Sequence, residues 1–460
     1  MKPKSTIAAI ATAAGRGGVG IVRVSGPEAP QVLQALVPDW PPETPSHLLR
    51  LSKIVDTAGE LLDQGLVVFM QDTRSYTGEP TVEFQCHGGP MVLQNVLDAC
   101  LDAGAHIAGP GEFTERAYLN GKLDLTQAEA VADLINASSE AAHKLAVEHL
   151  NGGLGKTIER YRELLFQAIL LVESAIDFSH EEHVYQIEKD EILRRIDEVE
   201  VGLKVLRAKF DQGRRQREGV RVVILGEPNA GKSTLFNLLH GTERAIVTPV
   251  AGTTRDYLEE EILLDSVALR LVDTAGLRQT EEVVEAIGIE RSRALKDQAD
   301  LIIWVMDQSQ PLLEESEALL AELKRDLKRR PVLLVKNKAD LPVAEHPEWL
   351  SEFETVSTVL GPEAPEAGNG QEKLLSRLAQ KAQELARAEG VLISRARHLQ
   401  HVLEALSALG RVRQSMDLDM DFEILALDIR ESLDALGAIV GRVSTDDILN
   451  RIFSEFCVGK

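Results

Sequence analysis

Residues 1–122 mix strand and helix patterning. Thr81 to Gly88 alternates cleanly, with Val82, Phe84 and Cys86 on one side and Glu83, Gln85 and His87 on the other. A period of two marks a strand with one buried face. Ile21 to Val24 and Leu66 to Met70 predict further short strands, and Pro38 to Pro45 predicts a proline-rich loop. The opening MKPKSTIAAIATAAGRGG predicts a strand entering a glycine-rich turn rather than a secretory signal.

From about Leu123 the period lengthens to that of helices. Val131, Leu134, Ile135, Ala142 and Leu145 form one predicted stripe. Tyr161, Leu164, Leu165, Ala168, Leu171, Val172 and Ala175 form a second. Ile192, Ile196, Val199, Leu203, Leu206 and Phe210 alternate steps of four and three, a narrow seam suited to a helix-bundle core. At Gly219 the texture changes again. The apolar runs VRVVIL, ALRLVD, LIIWVM and PVLLVK are separated by helical segments, the signature of buried parallel strands in a doubly wound α/β domain. After the Pro/Gly/Glu-rich stretch Gly361 to Gly370, helical periodicity resumes at Leu399, Val402, Leu403, Leu406 and Leu409, then at Leu425, Ile429, Leu433, Leu436 and Val440. The expected fold is α/β + α. A mostly parallel α/β domain (219–381) is inserted into a helical-bundle domain (123–218 and 382–460), behind an N-terminal α+β domain (1–122). There is no internal repeat.

Composition sharpens this reading in three ways. Aromatics are 4% while Ala, Leu and Glu abound, which favours helix. No apolar run approaches the roughly 18 uncharged residues of a membrane helix. The 3 cysteines, Cys86, Cys100 and Cys457, are odd in number and far apart, which fits a reducing cytoplasm rather than a disulfide framework. The net charge of −23 argues against broad, unaided nucleic-acid binding, but leaves room for a local basic groove or a basic partner.

Gly226-Glu-Pro-Asn-Ala-Gly231-Lys232-Ser233 fits the phosphate-loop pattern and follows the strand Val220 to Leu225. Its glycines let backbone N–H groups of Asn229, Ala230, Gly231 and the helix start through Thr234 close on phosphate oxygens. Lys232 is expected to reach the β- and γ-phosphates and Ser233 to ligate Mg²⁺. Asp273-Thr274-Ala275-Gly276 follows a second strand, with Asp273 placed to hold Mg²⁺ through water and Gly276 to sense the γ-phosphate. Asn337-Lys338-Ala339-Asp340 follows a third. A carboxylate at Asp340 accepts from the ring N–H and amine of guanine, a pair that adenine lacks, so the set points to GTP. Between the first two motifs, Thr248-Pro-Val-Ala-Gly-Thr253-Thr254-Arg255-Asp256 is expected to act as a switch that GTP orders. Leu277 stands where Ras-type enzymes carry the glutamine that orients water. Arg255, Arg278 and Glu285 are the charged residues near enough to replace it, and spacing alone does not choose among them.

The blocks IAAIATAAGRGGVGIVRVSG, YTGEPTVEFQCHGGP, PGEFTERAYLNGKLDLTQAEAVADLI, GEPNAGKSTLFN, AGTTRD, DTAGLR, IGIERS, NKAD and FCVGK together resemble the tRNA modification GTPase MnmE (TrmE) family over essentially the whole chain. The resemblance implies a folate-binding N-terminal domain through which members dimerise, a helical domain in two segments and an inserted P-loop GTPase domain. It implies work with the FAD-containing flavoprotein MnmG on the wobble uridine of tRNA. An aminomethyl or carboxymethylaminomethyl group is installed at carbon 5, its one-carbon unit drawn from 5-formyl- or 5,10-methylene-tetrahydrofolate. It implies G domains that associate in the GTP state with K⁺ in place of an arginine finger. By motif, Asn229, the carbonyls of Thr248 and Val250, and Thr253 would hold K⁺, and Thr254 would join Ser233 on Mg²⁺. Glu285 matches the family's catalytic glutamate. Arg23, Glu79 and Lys122 match folate-binding positions, with Lys460 contributed by the tail and Cys457 brought to the same pocket as a thiol able to assist the chemistry. Three departures stand out. Ala13-Ala14 replaces a frequent Pro-Pro. Glu227 replaces a frequent basic residue, which is expected to lower phosphate affinity slightly. The base-contact region reads Val356-Ser357-Thr358, which assigns Ser357 to guanine. The competing reading is a GTP-dependent regulatory switch, such as a ribosome maturation GTPase; the G motifs alone do not separate the two, whereas the N-terminal blocks and the tail favour the first.

Overall fold

The computed structural model describes residues 5–71, 74–177, 182–241, 246–247, 259–272, 296–325, 327, 330–360, 370–418, 421–442, 446–454 and 456–459. Two units are defined by their internal contacts: Met1–Ile135 with Glu148–Val199 and Glu404–Lys460, and Asn136–Val147 with Glu200–Leu403.

The first unit holds a six-stranded sheet. Its strands are β1 (Ile7–Ile10), β2 (Gly20–Ser25), β3 (Arg50–Val55), β4 (Leu61–Met70), β5 (Thr81–Cys86) and β6 (His106–Ile107), ordered β3-β4-β5-β2-β1-β6. Neighbours are antiparallel except β1 and β6. Alternation along β2 and β5 sends Val22, Val24, Val82, Phe84 and Cys86 into a core shared with helices Ala29–Leu36 and Pro90–Asp102. The register sets Ala9, Arg23 and Glu83 side by side, so the opposite face is partly polar. There Phe113, from helix Glu112–Leu119, packs on Ile7 and Ala9.

The helical part of this unit begins with a capping box. Asp124 Oδ1 accepts from Gln127 N (2.9 Å), and Gln127 Oε1 accepts from Asp124 N (3.0 Å), which fixes the start of helix Leu125–Asn136. The predicted stripe through Val131, Leu134 and Ile135 is corrected here. Ile135 is 46% exposed, and the buried face is Leu125, Ala128 and Ala132, packed against Leu449, Ile452, Phe453 and Phe456, with Val131 alone of the predicted stripe packed beside them. The helix ends at Asn136, where the chain passes into the second unit, and Ser139 Oγ accepts from Ala142 N (3.1 Å) at the start of the next helix, Glu140–Leu150. The stripe therefore does not continue as one helix. Helix Gly153–Asp177 buries Tyr161, Leu165, Ala168, Val172 and Ala175 as expected, leaves Leu164 and Leu171 of the predicted stripe half-buried, and packs on helix Phe422–Val440.

The second unit is built on a seven-stranded sheet, ordered β13-β12-β11-β7-β10-β9-β8. β7 (Val220–Gly226), β10 (Val267–Val272), β11 (Leu301–Asp307), β12 (Val332–Asn337) and β13 (Glu354–Ser357) run parallel; β8 (Ile246–Val247) and β9 (Glu259–Leu264) are antiparallel. The central strands are apolar on both sides because helices cover both faces. Helices Lys232–Gly241 and Gln371–Ala386 contribute to one core, and helix Glu314–Lys324 to the other. Helix Gln371–Ala386 keeps its buried face in the sheet's core to its last residue, beyond Lys381. No described helix is long and apolar enough to cross a membrane.

At the N-terminal ends of β7 and β11, Asp300 is buried among donors. Its Oδ1 accepts from Arg214 (2.5 Å) and Arg215 (2.9 Å), and its Oδ2 from Arg221 N (3.0 Å). Both arginines lie on helix Phe210–Glu218, which leads into β7. Burial works against the charge on Asp300, but Arg214, Arg221 N and Arg215 outweigh it and hold the carboxyl below its ordinary range. Breaking such a pair from one side costs about 3–5 kcal/mol, so Asp300→Asn should lower the denaturation midpoint near neutral pH. A depressed carboxyl pKa gives stability that is complete above the unfolded value of about 3.9 and disappears as pH falls through the folded value. The difference between wild type and Asp300→Asn should therefore shrink below about pH 4. A difference that stays constant through that range, measured by urea denaturation, would count against the ion pair.

Candidate functional site

β7 ends at Gly226, with φ +142°. A Cβ there would lie 1.9 Å from Val305 O, so only glycine lets β7 and β11 approach this closely. The loop then passes through Asn229 in the left-handed region (φ +56°), which asparagine tolerates better than most residues. Gly231 (φ +104°) faces Asn337, whose Nδ2 would be 2.3 Å from an added Cβ. Helix Lys232–Gly241 begins immediately afterwards and places Ser233 and Thr234 in its first turn. Lys232 Nζ donates to the carbonyls of Gly226 (2.9 Å) and Glu227 (2.7 Å), bracing the loop from inside. Burial lowers the Lys232 pKa, with partial opposition from Glu227. The result is a backbone cradle at a helix N-terminus with an ammonium beside it, an arrangement that suits phosphate.

Glu227 is itself buried, and its Oε1 accepts from Leu313 N (2.7 Å) at the start of helix Glu314–Lys324. Its carboxylate is thus engaged by another segment of the domain, which spacing alone does not reveal.

A second loop meets the first from β12. Asn337 is buried, and its Nδ2 donates to Ala230 O (2.8 Å) while its Oδ1 accepts from Leu360 N (2.9 Å). Thr358 N donates to Lys336 O (2.9 Å), and Ala339 N to Thr358 O (3.1 Å). The phosphate loop, the Asn337–Asp340 loop and the segment after β13 are therefore joined in one place. Asp340 and Ser357 are exposed there, whereas Thr358 is buried. Sequence reasoning missed Thr358 and Leu360, whose contribution is made by backbone groups. It also missed Asp307, whose Oδ2 lies 2.5 Å from Lys338 Nζ. An acidic residue closing an otherwise apolar strand at the ligand-facing edge was the available signal.

Thr248, Val250, Thr253, Thr254, Asp273, Thr274, Ala275, Gly276, Glu285 and Lys460 lie outside the described residues. β10 runs to Val272, directly before Asp273.

In the first unit, Arg23 is held in the polar face. Its Nε (2.9 Å) and Nη2 (2.8 Å) donate to Glu83 Oε1, and its guanidinium lies 5.8 Å from the ring of Tyr76 and 5.7 Å from that of Phe113. Glu79 is buried, and its Oε2 accepts from Arg116 (3.0 Å) and Ser25 Oγ (3.2 Å). Lys122 is exposed next to Gly78. The tail reaches the same unit. Val458 bridges to Pro110, and Gly111 N donates to Cys457 O (3.4 Å). Gly459 (φ +95°) lies so close that a Cβ would be 2.3 Å from Ile10 O. The tail is packed rather than frayed, and Cys457 is exposed within it.

A glycine-rich loop entering a helix from a parallel strand, joined to an Asn-Lys-x-Asp loop on the next strand but one, defines a P-loop GTPase. The particular family follows from the whole chain. A model described as "MnmE helical domain" matches residues 125–457, and one described as "GTP-binding protein TrmE N-terminus" matches residues 6–122. The tRNA modification GTPase MnmE of Pseudomonas savastanoi pv. phaseolicola is 42% identical over 462 positions, covering 100% of this chain and 99% of the relative. That of Aquifex aeolicus is 40% identical, covering 99% and 100%. The chain belongs to the MnmE family. Among solved structures, the G domain of the T. maritima FeoB iron transporter is 28% identical, covers 36% of this chain and 99% of its own, and has a TM-score of 0.24.

Asn337→Ala would orphan both Ala230 O and Leu360 N. Each buried group left unpaired costs about 1–3 kcal/mol, so the variant should lose stability by roughly that amount or more and bind GTP more weakly. Thermal denaturation and nucleotide titration of the purified chain would read both, and wild-type values would show that the joint carries no weight.

Proposed function

We propose that this protein is a GTP hydrolase acting in tRNA modification, and that it is a K⁺-activated GTPase which modifies the wobble uridine together with a flavoprotein of the MnmG kind. The observation that carries the reading is the Asn337 joint, which hydrogen-bonds the phosphate loop to the Asn-Lys-x-Asp loop in a chain of this family. Lys232 and the backbone N–H groups from Asn229 to Thr234 bind and orient the phosphates. Asn337, Lys338, Asp340 and Ser357 surround the base, and Asp340 accepts from guanine's N–H groups. Ser233 and Thr254 would hold Mg²⁺, with Asp273 through water. Asn229, Thr248, Val250 and Thr253 would hold K⁺. The loop's glycines fit this assignment, since Gly231 leaves room for the Asn337 side chain and Gly226 for the close approach of β11, so both keep the loop in place. When bound, these cations neutralise charge that develops at the β- and γ-phosphate oxygens. Glu285 orients the attacking water in place of the missing glutamine.

The polar face of the N-terminal sheet is proposed to take a reduced folate. Arg23, fixed by Glu83 and flanked by two rings, suits an anionic or planar group, and the docked tail supplies Cys457 and Lys460. Glu79 and Lys122 complete the set. Homodimerisation through this domain, and FAD supplied by the partner, belong to the same reading.

GTP turnover should rise severalfold or more when K⁺ replaces Na⁺ at equal ionic strength, and equal rates would remove the K⁺ assignment. Glu285→Ala should lower turnover about 100-fold with nucleotide affinity retained; lost affinity would make Glu285 structural. Calorimetry with 5-formyltetrahydrofolate should show saturable binding that Arg23→Ala abolishes, and undiminished binding by that variant would refute the folate site. Mass analysis of wobble nucleosides from cells lacking the protein tests the tRNA reading itself.

A further inference from the structure

Asp307 is the final residue of β11 and its only charged one. Its carboxylate is held by three donors from two segments. Oδ1 accepts from Ser309 N (2.9 Å) and Ser309 Oγ (2.7 Å), while Oδ2 lies 2.5 Å from Lys338 Nζ. Lys338 is pinned at both ends. Its backbone sits in the left-handed region (φ +58°), kept there by Leu341 N donating to Lys338 O (2.9 Å) and by Ala339 N donating to Thr358 O. Its ammonium is fixed at Asp307. The methylene stem between them is thus set in one direction, beside Asn337 and within two residues of Asp340. Burial disfavours the charge on Asp307, yet the donors from Lys338 and Ser309 outweigh it and keep the carboxyl below its ordinary range.

A lysine stem with its charge anchored at the far end is a flat apolar strip. An unanchored ammonium beside an exposed carboxylate two residues away would instead pair with it. We propose that Asp307 is a positioning residue for the guanine base: it holds the Lys338 stem as a platform for the purine face and keeps the Lys338 ammonium from occupying Asp340. Ser309 orients Asp307 for this task. The inference rests on reading the pocket as a guanine-nucleotide site.

The test is titration of the full chain with GDP, IDP and ADP in Mg²⁺ buffer. IDP lacks the exocyclic amine that Asp340 recognises, so the GDP-to-IDP affinity ratio reports on that carboxylate directly. Asp307→Asn should weaken GDP binding about tenfold and lower the GDP-to-IDP ratio, because the freed ammonium competes for Asp340. Ser309→Ala should move both quantities in the same direction by a smaller factor. Replacing Lys338 by Met in the Asp307→Asn background should restore the ratio, since no ammonium remains to compete; a purely structural role for Asp307 predicts no restoration. An unchanged ratio in Asp307→Asn, or losses that simply add in the double variant, would overturn the inference. If Asp307→Asn does not fold, an unchanged ratio in Ser309→Ala overturns it equally. Failure of the wild-type chain to prefer GDP over ADP would instead remove the guanine reading and this inference with it.

Discussion

The side chain of Asn337 gives an N–H to Ala230 O and takes the Leu360 N–H on its own carbonyl, so that three segments distant in sequence share one buried amide. Each of those hydrogen bonds contributes only about 1 kcal/mol net, but leaving either partner unmet inside the domain costs more than forming it gains. The constraint propagates outward. Because Asn337 occupies the space over the phosphate loop, Gly231 has no room for a Cβ, and the loop must pass that point as bare backbone. The spacing of the phosphate loop and the chemistry of the Asn-Lys-x-Asp loop, which look like independent motifs in the sequence, are therefore two sides of one packing requirement.

What was legible in the sequence follows from where the physics is local. β7, β11 and β12 are covered on both faces, so their residues are apolar in unbroken runs, and the runs identify them. β5 has one core face and one polar face, and its alternation gave the correct sides for Phe84 and Glu83. The helical stripe through Ile135 misled because no glycine or proline marks the break after Asn136; the local mark is Ser139, which caps the next helix. Pairings across long stretches of chain left no local mark. Glu227 read as an unfavourable charge among phosphate ligands, whereas its carboxylate receives the N–H of Leu313. Asp307 and Lys338 are connected only through the parallel pairing of β11 and β12, a register that periodicity does not reveal.

The tail shows how few aromatic residues can fix a segment when they are grouped. Phe453 and Phe456 meet in a tilted pair with ring centroids 5.4 Å apart, and both lie against Gly111, where an added Cβ would come within 3.1 Å of each. Tyr118, 6.5 Å from Phe453, donates to Gly441 O (2.5 Å) and so joins the same cluster to helix Phe422–Val440. Burial of a large aromatic side chain is worth a few kcal/mol, enough to hold a short terminal segment together with its bridge to Pro110. The position of Cys457 is thus a consequence of its neighbours' packing, not of the cysteine.

The Asp300 cluster bears on what the nucleotide domain can transmit. The phosphate loop and the Asn-Lys-x-Asp loop sit at the C-terminal ends of the parallel strands, whereas Asp300 gathers Arg214, Arg215 and the start of β7 at the N-terminal ends. Beside it, Arg215 donates to Leu385 O (3.3 Å) and Gln216 to Ala386 O (2.8 Å), so helix Phe210–Glu218 is also bonded to the end of helix Gln371–Ala386. A bend at this junction would have to separate a buried carboxylate from two guanidinium groups, which costs several kcal/mol. That exceeds the coupling energies of about 1–3 kcal/mol typical between sites in one protein. Helix Phe210–Glu218 is therefore tied to the sheet and to the end of helix Gln371–Ala386 by buried polar groups as well as by the chain.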